Sequence, residues 1–287
     1  MRLIIIDANS IVHRAFHALP PLVTKTGEPV GAVYGFLLVF FKALKDFQPD
    51  FIAACFDVPG PTFRHKQFKE YKAKRPPAPD ELYQQIPKIK EVLKSFNVPV
   101  FEKESFEADD IIGTIARLAP KKQVLPELET IILSGDKDVL QLVDKNTKVY
   151  SLRKGVKDIV LYDEAEFEKK YGFRPDQLLD YKALRGDPSD NIPGVTGIGE
   201  KTATELIKNF GSLDNLYKKL NELPSRLKEK LLQYKEQAFL SRELAKINKN
   251  TPIEFSLKDC QWGEYDKEKT AALLKHLEFY SLIARLP

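Results

Sequence analysis

The amino-acid sequence predicts an α/β fold: a mostly parallel central sheet flanked by helices, followed by a helical subdomain. Three apolar runs carry this prediction. Residues 3–6 close on Asp7, residues 51–56 close on Asp57, and residues 130–133 lead into Ser-Gly-Asp136-Lys-Asp138. The runs are continuous rather than alternating, as strands covered on both faces are, and helical stretches separate them. Ligands of such sheets sit beyond the carboxyl ends of the strands, which here carry aspartate.

The remaining elements follow in order. Residues 31–44 are apolar enough for a buried helix, closed by Pro49. After Asp57, Pro59-Gly60-Pro61 opens a basic excursion that Pro76-Pro77-Ala78-Pro79 stops. Leu82, Ile86, Ile89, Leu93 and Phe96 recur at helical spacing over 81–96, with Pro87 kinking the helix. Residues 98–101 read as a short strand, and 148–152 and 159–162 as two more around Lys154-Gly155. From Asp163 the texture changes to helices with short polar connections. The expected division is an α/β domain at 1–162, with the excursion at about 60–97, and a helical subdomain at 163–287, with a hairpin at about 186–210.

At 287 residues and 43% hydrophobic content the chain can bury a substantial core. Cys55 and Cys260 are far apart in sequence, which argues against a disulfide framework or a cysteine zinc site and suits a reducing cytoplasm. No signal peptide and no run of about 18 apolar residues is found, so no membrane partner is expected. The net charge of +4 is ordinary as a sum but unevenly spread. Between Gly60 and Arg75 stand six cations, Arg64, Lys66, Lys69, Lys72, Lys74 and Arg75, against one acid, Glu70. Phe63, Phe68 and Tyr71 are interleaved with them, which suits nucleic acid, although a solvated charged helix reads much the same.

The acids are the chemically pointed feature. Glu107, Asp109 and Asp110 crowd one turn ahead of an apolar helical run. Alone, they would be an ordinary acidic helix start, favoured by the helix dipole. Two unit charges about 4 Å apart interact by roughly 4 kcal/mol at an effective dielectric of 20, so several carboxylates converge cheaply only around a counter-cation. Asp136 and Asp138 follow a strand, and Asp187 and Asp190 lie in Arg185-Gly-Asp-Pro-Ser-Asp-Asn-Ile-Pro193, where turn formers are also unremarkable by themselves. With Asp7 and Asp57 the candidates number nine. Hard oxygen donors without a Cys or His cluster point to Mg²⁺ or Mn²⁺, and His13, His17, His65 and His276 show no ligand spacing. Two such ions can activate a water and stabilise the leaving oxygen of a phosphodiester.

Gly194-Val-Thr-Gly197-Ile-Gly199-Glu-Lys201-Thr-Ala203 is a glycine-rich turn opening a helix, where free N–H groups suit phosphate oxygens. Glu200 interrupts the nucleotide P-loop pattern and no strand precedes it, which excludes that reading. A helix-hairpin-helix holding DNA backbone, or a purely structural turn, remains.

Taken together in this order, Ile6-Asp-Ala-Asn-Ser10, His17-Ala-Leu-Pro20, Gly31-Ala-Val-Tyr-Gly-Phe36, Thr62-Phe-Arg-His65, Glu70-Tyr-Lys72 with Arg75, Glu107-Ala-Asp-Asp110, Ser134-Gly-Asp-Lys-Asp138 and Gly186-Asp-Pro-Ser-Asp-Asn-Ile-Pro-Gly194 resemble the 5′-nuclease family. That family includes flap endonucleases and the 5′→3′ exonuclease domains of bacterial DNA polymerase I. The resemblance covers essentially the whole chain and implies a PIN-like nuclease fold with a helical arch. It implies that Asp7, Asp57, Glu107, Asp109, Asp110, Asp136, Asp138, Asp187 and Asp190 are metal-binding acids for two Mg²⁺ or Mn²⁺ ions. It implies that Lys72 and Arg75 engage the scissile phosphate and that Tyr71 stacks on a base. Arg64, Lys66, Lys69 and Lys74 become arch contacts to DNA. The hairpin at Gly194, Gly197, Gly199 and Lys201 would bind duplex backbone, often with a K⁺ on its main-chain carbonyls. The expected activity is cleavage at the junction of a 5′ single strand and a duplex by a cytoplasmic monomer, removing flaps and RNA primers. The sequence ends about where such a domain would join a polymerase, so a linked or separate polymerase is an expected partner. A haloacid-dehalogenase phosphohydrolase would need Asp where Asn9 stands, and a non-catalytic DNA scaffold would give no reason for nine acids.

Overall fold

The computed structural model describes residues 1–120 and 128–287. Six strands form one sheet: β1 Arg2–Asp7, β2 Phe51–Cys55, β3 Val100–Phe101, β4 Glu129–Ser134, β5 Thr147–Lys154 and β6 Asp158–Tyr162. Their spatial order is β3-β2-β1-β4-β5-β6, parallel except for the antiparallel β6. Leu3, Ile4, Ile5 and Ile6 are fully buried, each contributing roughly 1.5–3 kcal/mol, which is why the central strand reads as an unbroken apolar run. The chain first builds outward from β1 through β2 to β3, then returns to place β4 on the other side of β1. The reversal leaves a crevice at the carboxyl ends of β1 and β4, the place where open α/β sheets bind ligands.

Fourteen helices are described: α1 Ala8–Ala18, α2 Gly31–Phe47, α3 Phe63–Gln67, α4 Asp80–Tyr83, α5 Ile86–Ser95, α6 Ala108–Leu118, α7 Glu164–Tyr171, α8 Leu178–Arg185, α9 Glu200–Phe210, α10 Leu213–Lys218, α11 Ser225–Gln233, α12 Lys235–Ala245, α13 Lys267–His276 and α14 Tyr280–Ile283. The even residues of β1 pack with α1, α2 and α5, and the odd ones with α6 and the helices that follow β6. Helix α2 approaches α1 so closely that a Cβ on Gly35 would fall 2.6 Å from that of Ala15. It ends at Gln48, whose left-handed backbone returns its N–H to Leu44, with Pro49 beyond.

Three expectations change. The kinked helix over 81–96 is instead two helices broken at Gln84–Gln85. The buried Gln85 side chain accepts from Ala32 N–H at 2.8 Å and donates to the Glu81 carbonyl at 2.9 Å, and Pro87 sits in the first turn of α5, where its missing N–H is harmless. The helical arch expected at about 60–97 is helical in three pieces, Phe63–Gln67, Asp80–Tyr83 and Ile86–Ser95, with 68–75 a string of turns. Its side chains are drawn into polar contacts with the body of the molecule, and Lys72 adopts φ 56°, which no helix accommodates. Finally, the last residues of the expected 163–287 subdomain return to the sheet. Gln261 bridges to Phe51, Trp262 donates to the Asp50 carbonyl, and Leu274, Leu277, Phe279 and Leu282 join the core of α2 and α5.

Candidate metal centre and active site

Asp7 ends β1 and caps α1, its Oδ1 accepting from Ser10 N–H at 3.2 Å. Asp57 follows β2 and accepts from Ala108 N–H at 2.7 Å, so its carboxylate lies at the start of α6. That helix begins with Glu107 as its cap and carries Asp109 and Asp110 in its first turn, where the dipole favours negative charge. Asp136 leaves β4 two residues after Ser134. Asp7, Asp57, Glu107, Asp109 and Asp136 line one cavity of about 350 Å³, together with His13, Arg14, His17, Lys72 and Arg75.

The nine predicted acids divide by counter-charge. Five have a cation. Arg64 grips Asp110 with both nitrogens, at 2.7 and 2.8 Å, and reaches Glu107 at 3.5 Å. Lys72 holds Glu107 at 2.9 Å, Arg75 holds Asp190, and Lys182 holds Asp187 at 2.8 Å as well as Asp138. Asp7, Asp57, Asp109 and Asp136 have no ion-pair partner among the described residues, and the Asp109 carboxylate has no hydrogen bond among them either.

Titration follows that division only in part. Burial, reinforced by Asp7, Asp136, Asp138 and Glu107, pushes Asp109 well above the usual carboxylate range. Burial lifts Asp7 to about 6 against the hydrogen bonds from Ser10 and Ser134, with Asp136 and Asp57 adding to the rise. Burial also raises Asp57, opposed by the Ala108 N–H. The two acids sharing Lys182 behave oppositely. Burial carries Asp138 to about 7 despite the ammonium, because Asp136 and Asp190 lie near. Asp187 is half-buried, and Lys182 and Ser189 hold it down to about 2 against that burial.

All-oxygen donors, four of them uncompensated and one wholly unpartnered, suit a hard divalent cation. No three His, Cys, Asp or Glu residues among those described are already poised around one point, so the four form an open cluster rather than a closed cage.

Several predicted residues take other places. Arg64 is only 2% exposed: besides Asp110 it donates to the Leu244 and Lys246 carbonyls, which leaves no face for a phosphate, and Asp110, fully buried beneath it, is not open to the cavity. Tyr71 is 3% exposed, and its hydroxyl donates toward Glu107 and Asp190, both at 3.1 Å, so its ring is closed to a base. Lys66, Lys69 and Lys74 are exposed. The left-handed backbone of Lys72, a conformation costing about 1–3 kcal/mol, is held by its N–H to the Asp190 carbonyl at 2.8 Å.

Gly194 is buried, its N–H given to Ser241 Oγ at 3.0 Å. A Cβ there would lie 2.2 Å from Gly186 N, so it permits close approach rather than phosphate contact. Gly197 and Gly199 are exposed between α8 and α9, and Lys201 is exposed in the first turn of α9. The carbonyl of Gly194 takes the Gln237 amide at 2.6 Å and that of Gly197 the Lys230 ammonium at 3.3 Å.

Sequence reasoning missed Ser10, Ser134 and Lys182. Ser134 donates to Asp7 Oδ2 and accepts from Asp136 N–H at 2.9 Å, and Ser10 accepts from Gly135 N–H at 2.9 Å. For the two serines the available signal was their place inside the acidic motifs, whereas Lys182 precedes its motif. Arg14 completes the brace, donating to the Gly135 carbonyl at 3.0 Å.

Residues 2–172 match the family model described as 5'-3' exonuclease, N-terminal resolvase-like domain, and residues 173–268 match the one described as 5'-3' exonuclease, C-terminal SAM fold. The chain belongs to the 5'-3' exonuclease family. Its chemistry is that of a nuclease, a phosphodiester hydrolase. It is 44% identical to DNA polymerase I of Caldicellulosiruptor bescii over 100% of its own length and 33% of the relative. Against DNA polymerase I of Bacillus subtilis it is 43% identical over 99% of this chain and 32% of the relative. It thus spans about a third of the length of the curated relatives it matches. Among solved structures, a bacteriophage T5 D15 flap endonuclease complex with DNA and metal ions shares the fold at TM-score 0.72 and 19% identity, covering 97% of this chain and 100% of that one. The catalytic core of Rad2 with DNA substrate does so at TM-score 0.60 and 19% identity, covering 99% and 92%.

Proposed function

We propose that this exonuclease is metal-dependent and cleaves at the junction of a 5′ single strand and a duplex, removing displaced flaps and RNA primers. The observation that carries the proposal is the set of four carboxylates, Asp7, Asp57, Asp109 and Asp136, gathered in one cavity with no ion-pair partner among the described residues. These residues would hold Mg²⁺ or Mn²⁺. A divalent ion bound there supplies water activation and charge for the leaving oxygen. Lys72 and Arg75 line the same cavity, paired with Glu107 and Asp190, and an incoming phosphate exchanges those acids for itself. Lys66, Lys69 and Lys74 draw in the single strand. The first N–H groups of α9, which no side chain caps among the described residues, beyond Gly197 and Gly199, with Lys201, support the duplex backbone. The T5 structure, a complex with DNA and metal ions, and the Rad2 structure, with DNA substrate, favour this reading. The relatives' name favours a DNA polymerase as partner, joined or separate, and two buried thiols suit a reducing cytoplasm.

A labelled 5′-flap duplex incubated with the protein tests it. Cleavage near the junction with Mg²⁺, leaving a 5′-phosphate, and none with chelator is the expected result. Turnover of a small phosphate ester in preference to the flap would overturn it.

A further inference from the structure

Lys182 is 6% exposed and lies on α8, where it faces two carboxylates from different parts of the chain. Its Nζ stands 2.8 Å from Asp187 Oδ2 and is also bonded to Asp138 Oδ1. The nearby groups acting on Asp138 are otherwise like charges, Asp136 and Asp190. A lone buried ammonium is expensive, and the two acids in contact with it offset that cost. The second acidic pair thus already contains a cation, one the protein supplies itself. Asp7, Asp57, Asp109 and Asp136 have no ion-pair partner among the described residues, and Lys72 and Arg75, which line their cavity, are bound to Glu107 and Asp190.

We propose that Lys182 is a displaceable internal counter-ion: a divalent ion reaching the Asp138–Asp187 pair must expel its ammonium, so this second ion binds more weakly than the one at Asp7, Asp57, Asp109 and Asp136. The inference rests on the metal-dependent reading above and assigns an order to the two ions. Lysine fits the role because its ammonium is a point charge on a flexible stem that can withdraw, whereas a guanidinium would clasp both carboxylates through a rigid fork. A strut that merely ties α8 to the turn after β4 would place the same contacts but leave ion affinity alone.

Mn²⁺ titration of the metal-free chain, read by the paramagnetic signal of free Mn²⁺, separates these cases without relying on turnover. The wild type should show two affinities at least tenfold apart. Lys182→Met should tighten the weaker one at least tenfold and spare the tighter. Lys182→Gln, which keeps hydrogen bonding to both acids and guards against simple unfolding, should act in the same direction. Lys182→Arg should weaken the second ion further or leave it unchanged. Melting of Lys182→Met should fall in chelator and recover in Mn²⁺. A second affinity that stays put or weakens in both Lys182→Met and Lys182→Gln, or a melting loss that Mn²⁺ does not mend, overturns the role of Lys182 alone. A wild type that binds no Mn²⁺ overturns the metal-dependent reading itself.

Discussion

Asp109 and Asp110 are adjacent on α6 and opposite in circumstance. Asp110 is fully buried, clasped by Arg64 and bonded to the N–H groups of Glu107 and Asn248. Asp109 lines the cavity with nothing to balance it. A step of one residue turns a helix by about 100°, which is enough to send one carboxylate into the body of the molecule and the other to the crevice. The same contrast separates the four acids at the strand ends from the five held by Arg64, Lys72, Arg75 and Lys182. The first set is available to a cation from outside. The second is occupied by the protein's own.

The sharpest way to break this comparison is to exchange the roles. Asp109→Asn should lower Mg²⁺-dependent flap cleavage by about a thousandfold, roughly 4 kcal/mol of barrier, while melting in chelator stays level or rises because a repelled charge has gone. Equal losses of activity and stability would erase the distinction. Arg64→Ala should act the other way, destabilising by about 3–5 kcal/mol in denaturant unfolding, since it strands a buried carboxylate. A variant that melts like the wild type would show that Asp110 is not held as described.

A pH series sharpens the energetic side. Folded Asp7 keeps its proton to about 6, whereas an unfolded aspartate loses it near 3.9. Ionising it therefore favours the unfolded chain: its contribution to stability is fully present below about pH 4 and falls by about 3 kcal/mol as pH rises through 6. Unfolding free energies of wild type and Asp7→Asn, compared from pH 4 to 8 without metal, should diverge by that amount with the variant the more stable at high pH. Parallel curves would refute the buried, unbalanced aspartate. The smallest effect concerns the brace between the two strand ends. Ser134→Ala should weaken Mn²⁺ binding about tenfold, or 1.4 kcal/mol, and Ser134→Thr should restore it. A loss of stability with unchanged affinity would make Ser134 a packing residue only.

Much of the fold was legible because its signals are local. Runs such as Leu-Ile-Ile-Ile before Asp7 mark strands covered on both faces, and the change of texture after Tyr162 marks the helices that follow. The basic excursion misled because its composition is that of a solvated helix. Tyr71 and Arg64 are instead buried, bound to partners 36 to 182 residues away.

What the sequence determined by itself was the inventory: parallel strands ending in acids, nine carboxylates, and a glycine turn ahead of a helix. Only the tertiary structure decided which carboxylates stand uncompensated. Asp110 meets Arg64 across 46 residues and Asp138 meets Lys182 across 44. Charge pairing depends on separations of a few ångströms, and no spacing along the chain encodes them.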